Sequence, residues 1–387
     1  MLRIPLFLLF SLLVLTVKPA DADTTRVDDR IQTTDSTESF AQKVFSALEV
    51  KTPRVIYNLY PAVGYDPSSG VEFGLMPIMT LVPRQDTAKY LKYRPSTIFT
   101  RFTYSTKRWL GCFADFKIYT PSNYVINSLV ELQNMPESFF GVGYSTGPEQ
   151  MAQYQSFRLA IRGDISRSFG SVMQCGLKYD LQYTTVSDVS GSILTAAVTG
   201  YEGGFVAGLG PILTLDTRDD ADYPLKGSFL SASMLYFPAL TDHNYRFSRS
   251  SLDIRQYINP FSDFVLAFQA FGEFTDGNTP FYALPRLAGK DRLRGFSHRS
   301  KYVDNNVVYS QIEIRKQLFW KIGAVAFAGA GNTMSSIDSN PTEHLKYVCG
   351  FGGRLGATSG TKMNFRLDVG FGSNGDVGVF MTAREAF

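Results

Sequence analysis

Few residues in this sequence have the types and spacing that catalysis requires. Gly143–Gly147 reads G-Y-S-T-G and matches the serine-nucleophile pattern G-x-S-x-G, but such a nucleophile sits on a sharp turn from a strand into a helix. The surrounding segments alternate as strands do, so we interpret the match as coincidental. His243, His298 and His344 lie in predicted loops without the serine-partner spacing of an outer-membrane phospholipase. The sequence therefore predicts no enzyme, no catalytic residue and no cofactor.

The three cysteines, Cys112, Cys175 and Cys349, do not resemble a reactive site either. Their number is odd, they fall in three separate predicted strands, and their spacing fits no metal site. Each lies on the apolar side of its strand, where a free cysteine behaves as a small hydrophobic residue. We expect three free thiols that face lipid.

The composition is typical of a β-rich chain with much of its surface in lipid. Of the 387 residues, 44% are hydrophobic and only 19% are charged, with 33 Gly, 21 Tyr and 31 Phe. After the first twenty residues no apolar run reaches the roughly 18 residues that a membrane-spanning helix needs. The net charge is +3 and the basic residues are scattered, unlike the clustered basic patch of a nucleic-acid-binding protein.

The chain begins with a predicted export signal. Met1-Leu2-Arg3 is a short basic region, Ile4 to Val17 is almost wholly apolar, and Ala20-Asp21-Ala22 supplies a small-x-small cleavage pattern. We predict cleavage after Ala22, with an uncleaved anchor helix as the alternative. Residues 23–52 form a polar segment with one helical candidate, Ser36 to Val50, and a flexible tether is the other interpretation.

From residue 53 onward the sequence alternates apolar with polar or small residues in segments of about ten residues, separated by turn residues. Met173, Cys175, Leu177 and Tyr179, for example, share one parity, and the polar residues between them share the other. A soluble sandwich would also alternate, but an export signal and so many long strands favour a transmembrane barrel. We predict an all-β antiparallel barrel over residues 53–387, with sixteen strands near 54–65, 70–81, 96–107, 110–120, 123–133, 150–165, 171–184, 204–217, 226–238, 246–258, 264–275, 306–318, 320–331, 346–357, 361–372 and 376–386.

Two motifs resemble the bacterial surface antigen superfamily, the barrels of the BamA and TamA type. Asp216, Arg218, Asp219 and Gly227, with Pro224 between them, resemble its DTRD hairpin, and Leu293-Arg294-Gly295-Phe296 is similar to the (V/I/L)RG(F/Y) tip of a long loop folded into the barrel. The resemblance covers about residues 54–387. It implies an outer-membrane barrel that handles polypeptides. No segment of the size of a periplasmic POTRA domain fits before the first predicted strand.

The predicted loop, residues 276–305, is too basic to rest on an apolar wall but can enter a lumen lined with carboxylates. Glu313, on the polar side of the next strand, is the nearest acidic candidate. The resemblance implies that Arg294 pairs with acids on the inner wall, and Glu313 matches one of their positions. We expect Asp368 or Glu273 to be the second partner, through charge-assisted hydrogen bonds. A glycine, Gly329, stands where the family has a second acid. An unpaired, solvated Arg294 is the alternative.

The C-terminal residue, Phe387, resembles the terminal aromatic assembly signal of outer-membrane barrels, although Glu385 interrupts the usual alternation. In the family the last strand pairs weakly with the first. Gly372, Gly375 and Gly378 are compatible with such a seam because glycine weakens strands.

Two functions follow as expectations. The first is a barrel that assists insertion or translocation of proteins at the outer membrane of a Gram-negative bacterium, with client polypeptides and a periplasmic or lipoprotein partner. The second is a loop-gated pore or a structural scaffold barrel of an outer-membrane complex. The sequence predicts outer-membrane lipids as the surroundings and no nucleic-acid partner.

Overall fold

The computed structural model describes residues 48–66, 69–81, 95–143, 151–241, 244–261, 263–319, 321–340, 342–356 and 363–387. The predicted export signal, most of the segment 23–52 and Ser145 of the G-x-S-x-G match lie outside these residues. Among the described residues, no helix combines the length and the apolar character needed to cross a membrane.

The described chain forms one antiparallel sheet that closes into a sixteen-stranded barrel with one additional short strand, which confirms the predicted fold class. Each barrel strand pairs with its neighbours in the chain, and the last meets the first. The strands are β1 (Glu49–Lys51), β2 (Val55–Asp66), β3 (Gly70–Leu81), β4 (Ser96–Ser105), β5 (Leu110–Tyr119), β6 (Tyr124–Phe139), β7 (Ala152–Phe169), β8 (Met173–Ser190), β9 (Gly204–Asp216), β10 (Gly227–Phe237), β11 (Phe247–Phe261), β12 (Phe264–Gly277), β13 (Asn306–Phe319), β14 (Ile322–Met334), β15 (Lys346–Gly356), β16 (Asn364–Gly372) and β17 (Val377–Ala383).

Side chains alternate between the outer surface and the lumen along these strands, because successive residues of a strand point to opposite faces. In β8 the apolar Leu177 and Tyr183 are exposed on the outside, whereas Asp180 and Gln182 are buried inside. The three cysteines lie on the outer side and are free thiols, Cys349 being exposed and the other two partly buried. Their outward position agrees with the parity read from the sequence.

Two groups of strands differ in length from the prediction. β6 and β8 continue further toward the loops that follow them, to Phe139 and Ser190, and β7 continues toward the short turn that follows it, to Phe169. Pro136 is tolerated within β6 because the pairing of β6 with β5 stops at the pair Asn134–Leu110. The last strand, β17, is shorter and ends at Ala383. The short β1 includes Glu49 and Val50, which end the predicted helical segment, and pairing with β2 gives them extended backbone instead.

The two ends of the barrel differ in their connections. One end, here called the loop end, carries the loops 191–203 and 278–305, among others. The other, the terminal end, carries the beginning of β2, the end of β17 and the hairpin between β9 and β10. The lumen contains the loop 278–305, which enters from the loop end and bears the motif around Arg294.

Candidate functional site: the loop lock and the seam

The inserted loop packs through an apolar face of its own. Leu287, Leu293 and Phe296 are fully buried and form a cluster with Tyr302 and with Tyr309 of the inner wall, among other residues. Burial of such side chains stabilises the inserted state by roughly 1.5–3 kcal/mol each. Loop residues also bond to the wall, since Ser300 Oγ donates to the carbonyl of Ser138 at 2.5 Å and Lys301 Nζ lies 2.5 Å from Asp376 Oδ2.

Arg294, near the tip of the inserted loop, is completely buried. Its Nη1 donates to Asp368 Oδ2 at 2.7 Å, and its Nη2 donates to Glu313 Oε1. Its guanidinium carbon lies 3.9 Å from the ring centroid of Phe327, in cation-π geometry. The structure thus brings together Arg294, Glu313 and Asp368, and we call these three side chains the loop lock.

A wider network balances the charge of the loop lock. Arg315 Nε donates to Glu313 Oε2 at 2.7 Å, and Arg354 Nη1 donates to Asp368 Oδ1 at 2.6 Å. Arg366 Nη1 reaches Asp368 Oδ2 at 3.4 Å. Buried charges persist where they are paired and hydrogen-bonded, and each carboxylate of the loop lock has at least two arginine partners.

Glu273, the other candidate partner, pairs elsewhere. Its Oε2 accepts a hydrogen bond from Arg292 Nη2 at 2.8 Å, and its Oε1 lies 3.8 Å from Arg249 Nε. Gly329 stands where the resemblance would place an acid, and a Cβ there would lie 2.8 Å from a methyl carbon of Leu293. The missing acid therefore makes room for the leucine beside Arg294, and Asp368 of β16 supplies the second carboxylate.

Neighbouring loop charges are also held in their ionised forms. Lys290 and Arg366 lie beside the half-exposed Asp291 and hold the pKa of its carboxyl at about 2. Burial lowers the pKa of Arg286 to about 10, against the opposing effect of Glu137. At neutral pH both groups are charged.

Gly295 and Phe296 rest directly on the backbone of β16 and β17. A Cβ at Gly370 would lie 2.2 Å from the carbonyl oxygen of Arg294, and one at Gly372 would lie 2.6 Å from that of Gly295. A Cβ at Gly378 would lie 2.7 Å from the same Arg294 oxygen. These glycines permit close approach of the loop tip, which is a role distinct from the weakening of strands that the sequence indicated.

The DTRD hairpin forms a turn at the terminal end, between β9 and β10. Asp216 Oδ1 accepts hydrogen bonds from the backbone N and from Nε of Arg218, both at 3.0 Å, and Asp219 Oδ1 accepts from the backbone N of Leu225 at 2.9 Å. Gly227 has φ +106, and a Cβ there would lie 2.5 Å from the carbonyl of Thr217. These contacts fix the conformation of the turn. None of them involves a residue of the loop lock.

The last four residues, 384–387, here called the tail, leave the sheet and enter the lumen. Arg384 has φ 69, a left-handed conformation that ends β17. Glu385 Oε2 accepts from Arg354 Nε at 2.8 Å, and Arg315 Nη2 donates to the main-chain oxygen of Phe387 at 3.0 Å. Phe387 is buried against Tyr257. The sequence placed Phe387 at the end of the last strand, and this placement is wrong because the left-handed residue turns the chain inward.

The seam between β17 and β2 is narrow. One residue pair, Met381 with Tyr65, joins these strands, whereas β16 and β17 pair from Phe365–Ala383 to Phe371–Val377. Because the tail turns inward, it leaves the neighbouring stretch of the β2 edge without β17. Arg315 connects the loop lock to the tail, since it contacts both Glu313 and Phe387.

Solved outer-membrane barrels share this architecture, among them the following. BamA from Haemophilus ducreyi lacking POTRA domains 1–3 is similar with a TM-score of 0.55 at 13% identity, over 85% of this chain and 70% of that one. The fold is that of the BamA and CdiB barrels. CdiB from Escherichia coli (TM-score 0.56, 12% identity) and CdiB from Acinetobacter baumannii (0.54, 10%) match over 87% and 86% of this chain.

The likeness lies in the fold, at low sequence identity. This chain spans 63% and 60% of the two CdiB chains. The sequence matches no family model and no curated protein.

Proposed function

We propose that this barrel assists the insertion or translocation of other polypeptides at the outer membrane of a Gram-negative bacterium. The observation that carries the proposal is the seam, where the last and first barrel strands are joined by one residue pair, Met381 with Tyr65. An antiparallel strand pair held by so few ladder bonds opens at low cost. An incoming client strand then pairs with the freed edge of β2, and its backbone hydrogen bonds supply the affinity.

The inserted loop supports this function. The loop occupies the lumen and is held there by buried charges. In this proposal it prevents the barrel from acting as an open water channel, while β17 and β2 can still separate. Its tip lies on β16 and β17, the strands next to the seam. The chain acts, in this proposal, through binding and strand exchange rather than through catalysis, surrounded by outer-membrane lipids and aided by a periplasmic or lipoprotein partner that delivers clients.

The experiment uses the protein reconstituted in vesicles of phosphatidylethanolamine and phosphatidylglycerol, with a urea-unfolded eight-stranded outer-membrane barrel as the client. Cysteines at Tyr65 and Met381, in a background with the three native cysteines replaced by alanine, staple the seam. We expect the oxidised form to fold but to lose the acceleration of client folding, and reduction to restore it. Equal acceleration in both redox states would contradict the proposal.

A loop-gated pore is the second candidate, and the buried loop lock favours it specifically because a lumen plug is what such a gate requires. Planar-bilayer conductance before and after deletion of residues 286–300 separates the candidates. If the protein is a gated pore, the deletion should give a large, steady conductance, and the seam disulfide should leave the conductance unchanged. A structural scaffold changes in neither experiment.

A further inference from the structure

The edge of β2 that faces the seam has a second occupant, the short strand β1. Its register pairs Glu49 with Asn58 and Lys51 with Ile56. The backbone N of Leu59 donates to the carbonyl of Leu48 at 3.0 Å. Asn58 Nδ2 also donates to Glu49 Oε2 at 3.2 Å. Residues 48–51 therefore extend the sheet on the side of β2 where β17 would otherwise continue.

The tail and β1 would pair with the same residues of β2. From the pair Met381–Tyr65, continued pairing in the same antiparallel register would set Glu385 opposite Pro61 and Phe387 opposite Leu59. Leu48 already bonds to Leu59. The two segments exclude each other at this position, and in the structure the tail is in the lumen.

Pro61 marks the boundary between the two occupants. In a strand, the backbone groups of residues i and i+2 point to the same side, and the N–H of Leu59 points to β1. The nitrogen of Pro61 therefore faces the seam, and proline has no hydrogen there to donate. Proline is tolerated in strands at such unpaired edges. Among the described residues, no strand is paired with Pro61 on that side.

We infer that β1 is an exchangeable capping strand that occupies the client-docking edge of β2 and is displaced when a client strand pairs there. This inference rests on the proposed function. An exposed strand edge is a template for unwanted pairing, and β1 covers it with a short segment of the chain itself. Leu48 also contacts the lumen-facing apolar cluster of Tyr60, Ala62, Met76, Ile78 and Met363, which anchors the cap at its start.

The cap can be fixed in place with a disulfide. The Leu48–Leu59 pair is hydrogen-bonded, so the neighbouring Glu49–Asn58 pair is of the non-hydrogen-bonded type, with Cα atoms about 4.5 Å apart, within the range a disulfide spans. Glu49→Cys with Asn58→Cys, in the background without native cysteines, fixes β1 on β2. The single variant Glu49→Cys is the matched control. We expect the oxidised double variant to accelerate client folding several-fold less than its reduced form.

The cap can also be weakened. Val50 is paired with Tyr57, and Val50→Pro removes the donor it contributes. Val50→Thr keeps a β-branched residue that favours a strand and serves as the control. We expect Val50→Pro to raise the initial rate of client folding several-fold and Val50→Thr to leave it unchanged. Retained heat-modifiability of each variant on a gel shows that the barrel itself has folded.

The outcomes separate this inference from the proposed function. A 49–58 staple that leaves the rate unchanged while the 65–381 staple blocks it would overturn the capping role and leave the insertion function standing. Unchanged rates in both stapled forms would overturn the insertion function itself. A Val50→Pro barrel no faster than the Val50→Thr barrel would also overturn the capping role.

Discussion

Arg294 Nη1 donates to Asp368 Oδ2 at 2.7 Å, although the two residues are 74 positions apart in the chain. One lies at the tip of the inserted loop and the other on the inner wall of β16. Their contact joins the loop to β16, the strand that pairs with β17 beside the seam. This connection is the basis of the predictions that concern the loop.

Removal of the central charge should release the loop. Arg294→Ala leaves Glu313 and Asp368 buried, although Arg315 and Arg354 still contact them, and we expect the loss to lie near 3 kcal/mol, the lower end of the range for breaking a buried pair. Limited proteolysis should cut residues 280–305 faster, and heat-modifiability should shift to lower temperature. Arg294→Lys keeps the charge without the planar fork of the guanidinium. Its rate of loop proteolysis should lie between those of the wild type and of Arg294→Ala. A variant with wild-type protection of the loop would contradict the role of the loop lock.

A methyl group can displace the loop tip without changing any charge. In Gly370→Ala the new Cβ would lie 2.2 Å from the carbonyl oxygen of Arg294, closer than atoms can approach, and overpacking of this kind costs about 1–3 kcal/mol. We expect faster proteolysis of the loop. Gly353→Ala in the neighbouring β15 is the control, because a Cβ there meets no atom within 4 Å. Equal proteolysis of the two variants would contradict the packing described for the loop tip.

The reactivity of the three cysteines tests whether their side chains point to the outer surface of the barrel. The native protein in detergent should yield three free thiols after denaturation, and a charged maleimide should modify them slowly while the barrel is folded, because detergent covers the outward-facing side. Mass spectrometry counts the labels. Fast labelling of Cys175 in the folded state, or a band shift on reduction, would show that these strands face the other way.

The tail position can be measured by fluorescence. With Trp109 and Trp320 replaced by Phe, Phe387→Trp places the one fluorophore in the lumen, and Phe351→Trp places it on the exposed outer surface. Brominated lipids should quench the second strongly and the first weakly, since quenching requires contact with the acyl chains. Strong quenching at position 387 would indicate that the tail ends against lipid, as an extended last strand would.

Hydrogen exchange measures the strength of the seam. The amides of β17 have one partner strand along most of its length, whereas β16 lies between β15 and β17. We expect amides of Val377–Ala383 to exchange faster than those of Asn364–Gly372, because local opening of an edge breaks fewer contacts. Equal protection of the two strands would mean that the seam is closed more firmly than its single residue pair indicates.

The alternation of the chain determined the sheet. Side chains change face at every residue of a strand whatever its partners are, so the apolar and polar parities around Leu177 or Cys175 could be read without any knowledge of pairing. The same local signal predicted the number of barrel strands and a long loop over residues 276–305, which the structure places at 278–305. It also separated the outward cysteines from the lumen.

Other features depended on which strands meet across the barrel. The sequence offered Asp368 and Glu273 as partners of Arg294 beside Glu313, and only closure of the barrel set Asp368 against Arg294 and Glu273 against Arg292. The inward turn at Arg384, the contact of Leu48 with the β2 edge and the glycines under the loop tip were equally hidden. Each is a contact between segments distant in the chain, and such contacts are decided by the register and closure of the sheet, which no local pattern encodes.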